Sequence, residues 1–189
     1  MLNFTYHNPT KIVFGANTIE RIDELLPADA RVLILIGGGS ARRNGTLTEV
    51  QAALGTRVVQ EFAGIEANPT YETLMRAVEQ VRREKLDFLL AVGGGSVIDG
   101  TKFVAAAVPF DGDPWQIMLS HGANVQRALP LASVLTLPAT GSEMNCGSVV
   151  TRQATKAKLA FITPHVYPVF SILDPTKTYT LPAQIGRAH

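Results

Sequence analysis

The sequence predicts an α/β fold built on a parallel sheet, with a β-hairpin added to it. Two apolar runs, Arg31–Ile36 and Leu86–Val92, lack polar alternation and so read as strands buried on both faces. Each run ends in the same tetrad, Gly37-Gly38-Gly39-Ser40 and Gly93-Gly94-Gly95-Ser96, followed by helical periodicity. The length of 189 residues and a hydrophobic content of 46% suit one well-buried domain and exclude disorder.

The elements follow in order. After Arg31–Ile36, residues Thr46–Leu54 place Leu47, Val50 and Leu54 at helical spacing, and Thr56–Phe62 returns to a strand pattern, completing a βαβ unit. Asn68-Pro69-Thr70 opens the next helix, since Asn accepts hydrogen bonds from free amides and Pro is pre-set for a first helical position. Tyr71, Leu74, Val78 and Val81 then form one apolar stripe, with Glu72, Arg76, Glu79 and Arg83 off it. The strand Leu86–Val92 leads through its glycines into an Ala-rich helix over Val97–Val108. Phe110–Asn124 reads as a loop with a short helical piece around Trp115. Ser133–Leu137 is a strand, Gly147–Arg152 and Lys158–Ile162 form a hairpin, and Val169–Leu173 is a last strand before Asp174-Pro175.

Composition narrows the function. Lys and Arg number 17 against 16 Asp and Glu, a net charge of +1, which excludes the basic footprint of a nucleic-acid or anionic-membrane binder. The expected partners are small molecules or further subunits. Cys146 is the lone cysteine, and Met1–Thr10 lacks the basic, apolar and small-residue order of a secretory signal, so a cytoplasmic location is expected. The apolar runs are strand-sized, far short of a membrane-spanning helix.

Glycine at the end of a parallel strand lets a phosphate approach the backbone, and the helix that follows offers free N–H groups and the positive end of its dipole. Gly37, Gly38, Gly39 and Ser40, with Gly93, Gly94, Gly95 and Ser96, are therefore candidate cofactor-binding residues. Ser96 and Asp99 also have capping-box spacing, which gives them a purely structural alternative. Ile98 and Arg42 stand where a third glycine completes the ordinary dinucleotide fingerprint. Thr101 separates Gly100 from Lys102, which excludes a P-loop. No acid follows the strand ending at Ile36 to hold a ribose 2′-hydroxyl, and Arg42 and Arg43 add positive charge, which favours a 2′-phosphate. A solvated helix face is the competing reading of those arginines. His7, His121, His165 and His189 stand alone, so no metal ligands are assigned. Ser142 lacks the second glycine of a nucleophile elbow, so no esterase chemistry is expected.

The stretches Pro9–Gly15, Asn68-Pro69-Thr70, Ala91–Asp99, Thr136–Glu143 and Leu173-Asp174-Pro175 together resemble the iron-containing (group III) alcohol dehydrogenases, in particular their NADPH-dependent aldehyde reductase and butanol dehydrogenase branch. The resemblance runs from Asn3 to about Ala183 and implies a dehydroquinate-synthase-like architecture. In that architecture an N-terminal Rossmann-type dinucleotide-binding domain faces an all-helical metal domain. It assigns residues 1–183 to the first domain, leaves the helical domain absent, and makes 184–189 a non-native tail of a truncated reading frame.

It further implies that Gly93, Gly94, Gly95 and Ser96 hold the pyrophosphate, that Asp99, Thr136 and Thr140 line the cofactor cleft, and that Ser142 and Lys158 lie along it. Gly38 stands where NAD-preferring members carry aspartate. The implied cofactor is NADP(H), and the implied substrate is a short-chain aldehyde or primary alcohol. The catalytic metal, iron or zinc, belongs to the intact two-domain protein, so no catalytic residue is assigned here and the chain alone is expected to be inactive. A homodimer through Asn3–Tyr6 and Lys11–Phe14 is also implied. The alternatives are an NAD-dependent glycerol-dehydrogenase-like enzyme, which the missing acid at Gly38 disfavours, and a catalytically silent nucleotide-binding module.

Overall fold

The computed structural model describes residues 3, 5 and 7–181; the boundary at 183, the tail 184–189 and part of the segment 3–6 lie outside the described residues. Strands β1 (Lys11–Phe14), β2 (Arg31–Ile36), β3 (Val58–Phe62), β4 (Phe88–Gly94), β5 (Leu131–Leu137) and β8 (Phe170–Leu173) form one parallel sheet in the order β1-β8-β5-β4-β2-β3. Strands β6 (Gly147–Arg152) and β7 (Ala157–Ile162) form the antiparallel hairpin.

Side chains alternate across a strand, so an unbroken apolar run feeds two cores. Leu33, Leu35, Leu89 and Ala91 face helices α4 (Tyr71–Glu84) and α5 (Gly95–Ala107). Val32, Ile34, Leu90 and Val92 face the other way, onto Leu47, Val50 and Leu54 of α3 (Thr46–Ala53) and its following turn, and onto Ile22 of α1 (Ile22–Leu25). The result is a sheet covered by helices on both faces, as its sequence pattern requires.

Several local expectations are corrected. The N-cap of α4 is Thr70, whose hydroxyl accepts from the Thr73 amide at 3.3 Å, whereas the Asn68 side chain is engaged elsewhere. The tetrad after β2 contains the start of a short helix, α2 (Ser40–Arg43), entered through Gly39 at φ 99°, a left-handed conformation that glycine adopts without strain. The tetrad after β4 is divided differently: Gly93 and Gly94 remain in the strand, with a register shift between them, and α5 begins at Gly95. A 3-10 turn (Thr18–Arg21) and α1 cover the sheet where no helix was expected, because Ile19 and Ile22 are too few to set a period. The helical piece near Trp115 is α6 (Trp115–Leu119).

The hairpin is fastened onto the α4 side of the sheet. Glu72, in the first turn of α4, accepts from the amides of Gln153 and Ala154 at the hairpin tip, and Arg152 lies 5.1 Å from the Tyr71 ring centre and 5.3 Å from that of Trp115. Thr151 bridges to Thr70 in parallel fashion.

Candidate cofactor site

The site is built at the carboxyl ends of β2 and β4. From β2 the chain crosses outward to β3, and from β3 it returns across the sheet to β4 on the other side of β2. Such a reversal leaves a crevice between the two strand ends, where open α/β sheets take their ligands. Both glycine tetrads open onto this crevice. At the head of α5 the N-cap is Gly94, and no side chain caps the helix among the described residues. Its first amides and the positive end of its dipole are therefore left for an anion.

The glycines here differ in what they are for. A Cβ at Gly93 would lie 2.7 Å from Val97 Cγ2, and one at Gly95 would overlap the Thr140 side chain, so both are fixed by close approach. Gly37 is limited by the Ile65 carbonyl, 3.2 Å from a built Cβ. Gly38 is exposed, and a Cβ there meets nothing within 4 Å. Ser40 is exposed at the start of α2. Arg42 pairs with Glu61 of β3, an acid that sequence order hides because it arrives from the neighbouring strand.

Ser96 and Asp99 do not form a capping box. The Ser96 hydroxyl donates to the Ala67 carbonyl, drawing residues 65–70 against the head of α5. Asp99 faces away from the helix end: its Oδ1 accepts from the Ser142 hydroxyl at 2.6 Å and its Oδ2 from the Val149 amide at 3.1 Å. Burial pushes the Asp99 carboxyl up, against those two hydrogen bonds and the nearby Lys102 charge. Thr136 is buried near the end of β5, and Thr140 is exposed beyond it, its Oγ1 accepting from the Ser142 amide at 3.2 Å. Ser142 is 2% exposed, so its hydroxyl works inside the wall of the crevice. Lys158, exposed on β7, donates to Asn68 Oδ1 at 2.9 Å. The hairpin thereby brings a cation beside the segment that Ser96 holds.

Lys102, which the sequence shows only as failing to complete a P-loop, is fully buried and its ammonium makes three hydrogen bonds. They run to Ser142 Oγ at 2.9 Å, Asn145 Oδ1 at 2.8 Å and the Gly147 carbonyl at 3.0 Å. Burial lowers the ammonium to about 8, opposed chiefly by the Asp99 carboxylate near it. In the unfolded chain the same lysine titrates at its ordinary 10.5. Between these values the unfolded state holds a proton that the folded state has released, so this group makes folding more favourable as pH rises. The stability of the unaltered chain relative to Lys102→Met is expected to rise as pH increases above about 8. Urea denaturation across that range measures it, and a constant difference contradicts the expectation.

Elsewhere, a concavity of about 600 Å³ lies by α3 and gathers Glu20, Asp23 and Glu49. Asp23 and Glu49 there are paired with Arg57 and Lys177, and no helix N-terminus of comparable length among the described residues opens onto it as α5 does at the glycine tetrad. Among the described residues no three His, Cys, Asp or Glu side chains converge as metal ligands. The described residues by themselves therefore offer no donor set that fits a catalytic metal ion.

Comparison with known proteins gives a consistent picture. The family described as iron-containing alcohol dehydrogenase matches residues 9–175. The chain is 55% identical over 184 residues to the NADPH-dependent aldehyde reductase YqhD of Escherichia coli (strain K12), covering 96% of this chain and 48% of that protein. It is 49% identical over 185 residues to a probable NADH-dependent butanol dehydrogenase of Bacillus subtilis (strain 168), again covering 96% of this chain and 48% of the relative. The crystal structure of E. coli K-12 YqhD superposes with a TM-score of 0.93 at 54% identity, over 96% of this chain and 47% of that one. The structure of an NADH-dependent butanol dehydrogenase A from Thermotoga maritima does so with a TM-score of 0.90 at 41% identity, over 96% and 46% respectively. The chain spans about half the length of the curated relatives it matches.

Proposed function

Because the chain belongs to the iron-containing alcohol dehydrogenase family, we propose that it is the cofactor-binding half of an NADP(H)-linked oxidoreductase acting on short-chain aldehydes and primary alcohols. One observation carries this reading: the uncapped head of α5 meets an all-glycine strand end at the point where the sheet order reverses. The fit to a dinucleotide rests on the cradle itself, since Gly93 and Gly95 have no room for a side chain and the free amides there suit a pyrophosphate.

When bound, the nicotinamide supplies or accepts hydride. The chain's own residues bind and orient it. The amides at the head of α5 take the pyrophosphate, with Ser96 fixing the adjoining segment and Lys158 adding positive charge. Gly38 and Ser40 leave space for a 2′-phosphate. Thr136, Thr140 and Asp99 border the crevice beyond the pyrophosphate. Metal ligands and most substrate contacts are assigned to the part of the longer relatives that this chain does not span. Among the described residues no helix is long and apolar enough to cross a membrane, and we place the protein in the cytoplasm. A homodimer is proposed through β1, an edge strand that exposes Ile12 and Phe14.

Calorimetric titration tests the proposal. The chain is expected to bind NADPH at one site, NADH more weakly and ATP not at all. With Fe(II) or Zn(II) and butyraldehyde added, no NADPH oxidation is expected. Absence of NADPH binding removes the cofactor assignment, whereas metal-dependent turnover by these 189 residues removes the assignment of the metal ligands to a further domain.

A further inference from the structure

We propose that Lys102 is the positioning residue for the nicotinamide end of the cofactor, holding residues 138–147 and Asp99 in one arrangement beneath it. The inference rests on the cofactor reading above and deepens it. Strands β2, β4 and β5 are neighbours in the sheet, spaced about 4.8 Å apart. A dinucleotide with its 2′-phosphate at Gly38 and its pyrophosphate at the head of α5 continues in the same direction over the end of β5. What stands there is the segment 138–147.

That segment has little regular structure, a 3-10 turn at Ser142–Met144 being its only helical piece. Its conformation is set from below. An ammonium carries three protons, and all three of those of Lys102 go to this one segment, on Ser142, Asn145 and Gly147. The charge is fully buried. Lifting the segment away would strand it without partners, which is strongly unfavourable in an apolar interior.

The link reaches the crevice by two routes. Ser142 accepts from Lys102 and donates to Asp99 Oδ1, so the lysine sets the carboxylate through a single hydroxyl. Asn145 Oδ1 accepts from both Lys102 and the Gly147 amide, which leaves only its NH₂ group to face outward from an exposed position. Lys102 itself touches no solvent, so its effect is exerted through these two residues.

The test separates the two ends of the cofactor. NADPH and 2′-phospho-ADP-ribose, which lacks the nicotinamide, are titrated into the unaltered chain and into Lys102→Met. NADPH affinity is expected to fall by about tenfold or more, the scale of a lost hydrogen bond to a charged group, while 2′-phospho-ADP-ribose stays within about twofold. Hydrogen exchange of 139–147 without cofactor is expected to accelerate in the variant. A folded Lys102→Met chain that binds both ligands as before, or loses both equally, overturns the inference and leaves the cofactor reading intact. Failure of the unaltered chain to bind NADPH overturns both. Should Lys102→Met not fold, Ser142→Ala decides on the same readout, because it cuts the link to Asp99: selective loss of NADPH supports the inference, and equal behaviour of the two ligands overturns it.

Discussion

A Gly95→Val chain is expected to lose NADPH binding by at least about a hundredfold, or about 2.8 kcal/mol, while keeping its sheet. Gly95 is the first residue of α5, and a Cβ built there lies 2.7 Å from Thr140 Cγ2 and closer still to Thr140 Oγ1. Valine therefore displaces the 138–147 segment and at the same time screens the amides that would receive the pyrophosphate. The neighbouring change Gly94→Ala makes a milder comparison, because its Cβ meets Leu137 Cβ at 3.2 Å, a contact that a small shift relieves. Calorimetry gives the affinities, and far-ultraviolet circular dichroism with thermal melts establishes that the variants are folded. A folded Gly95→Val chain with unaltered affinity removes the pyrophosphate from the head of α5.

Gly38→Asp is expected to invert the cofactor preference, weakening NADPH by about a hundredfold and tightening NADH severalfold. The position is exposed, its φ lies outside the left-handed region, and an added side chain meets nothing within 4 Å, so the substitution tests charge without strain. A carboxylate there repels a 2′-phosphate and accepts a hydrogen bond from a 2′-hydroxyl. Gly39 is unsuitable for the same experiment, because at φ 99° any side chain strains the turn. Equal binding of NADPH and NADH by the unaltered chain contradicts the assignment, as does a Gly38→Asp chain with unchanged preference.

The strands were legible because burial on both faces leaves a run such as Val32–Ile36 without polar interruption, and this needs no knowledge of partners. The glycine tetrads were legible for a related reason, since three glycines in succession after a buried strand have few uses other than close backbone approach. Other features depend on registers that no local pattern carries. Arg42 meets Glu61 only because β3 lies beside β2 with Ile34 opposite Glu61. Thr70 displaces Asn68 as a cap because Lys158, far along the chain, takes the asparagine oxygen. Lys102 did leave a signal: it and Asp99 are the charged residues in the otherwise apolar stretch Val97–Val108. Two opposite charges on a helix too apolar to face water call for a buried polar network.

The pairing of β1 bears on how the chain is made. Among the described residues the one neighbour of β1 in the sheet is β8, with Lys11 opposite Phe170, so this partner is synthesised almost at the other end of the described residues. At ribosomal speeds the interval is roughly 8–30 s, during which β2, β3, β4 and β5 have everything they need to assemble. β1 thus waits for a strand made much later in the chain, and long-range parallel pairing of this kind is intrinsically slow. For that interval Ile12, Val13 and Phe14 travel as an unpaired apolar strand, with the charge of Lys11 as a local safeguard against joining the wrong edge. Until β8 is made, β1 is therefore the strand of this sheet that most needs shielding, on the opposite side of the sheet from β2 and β3.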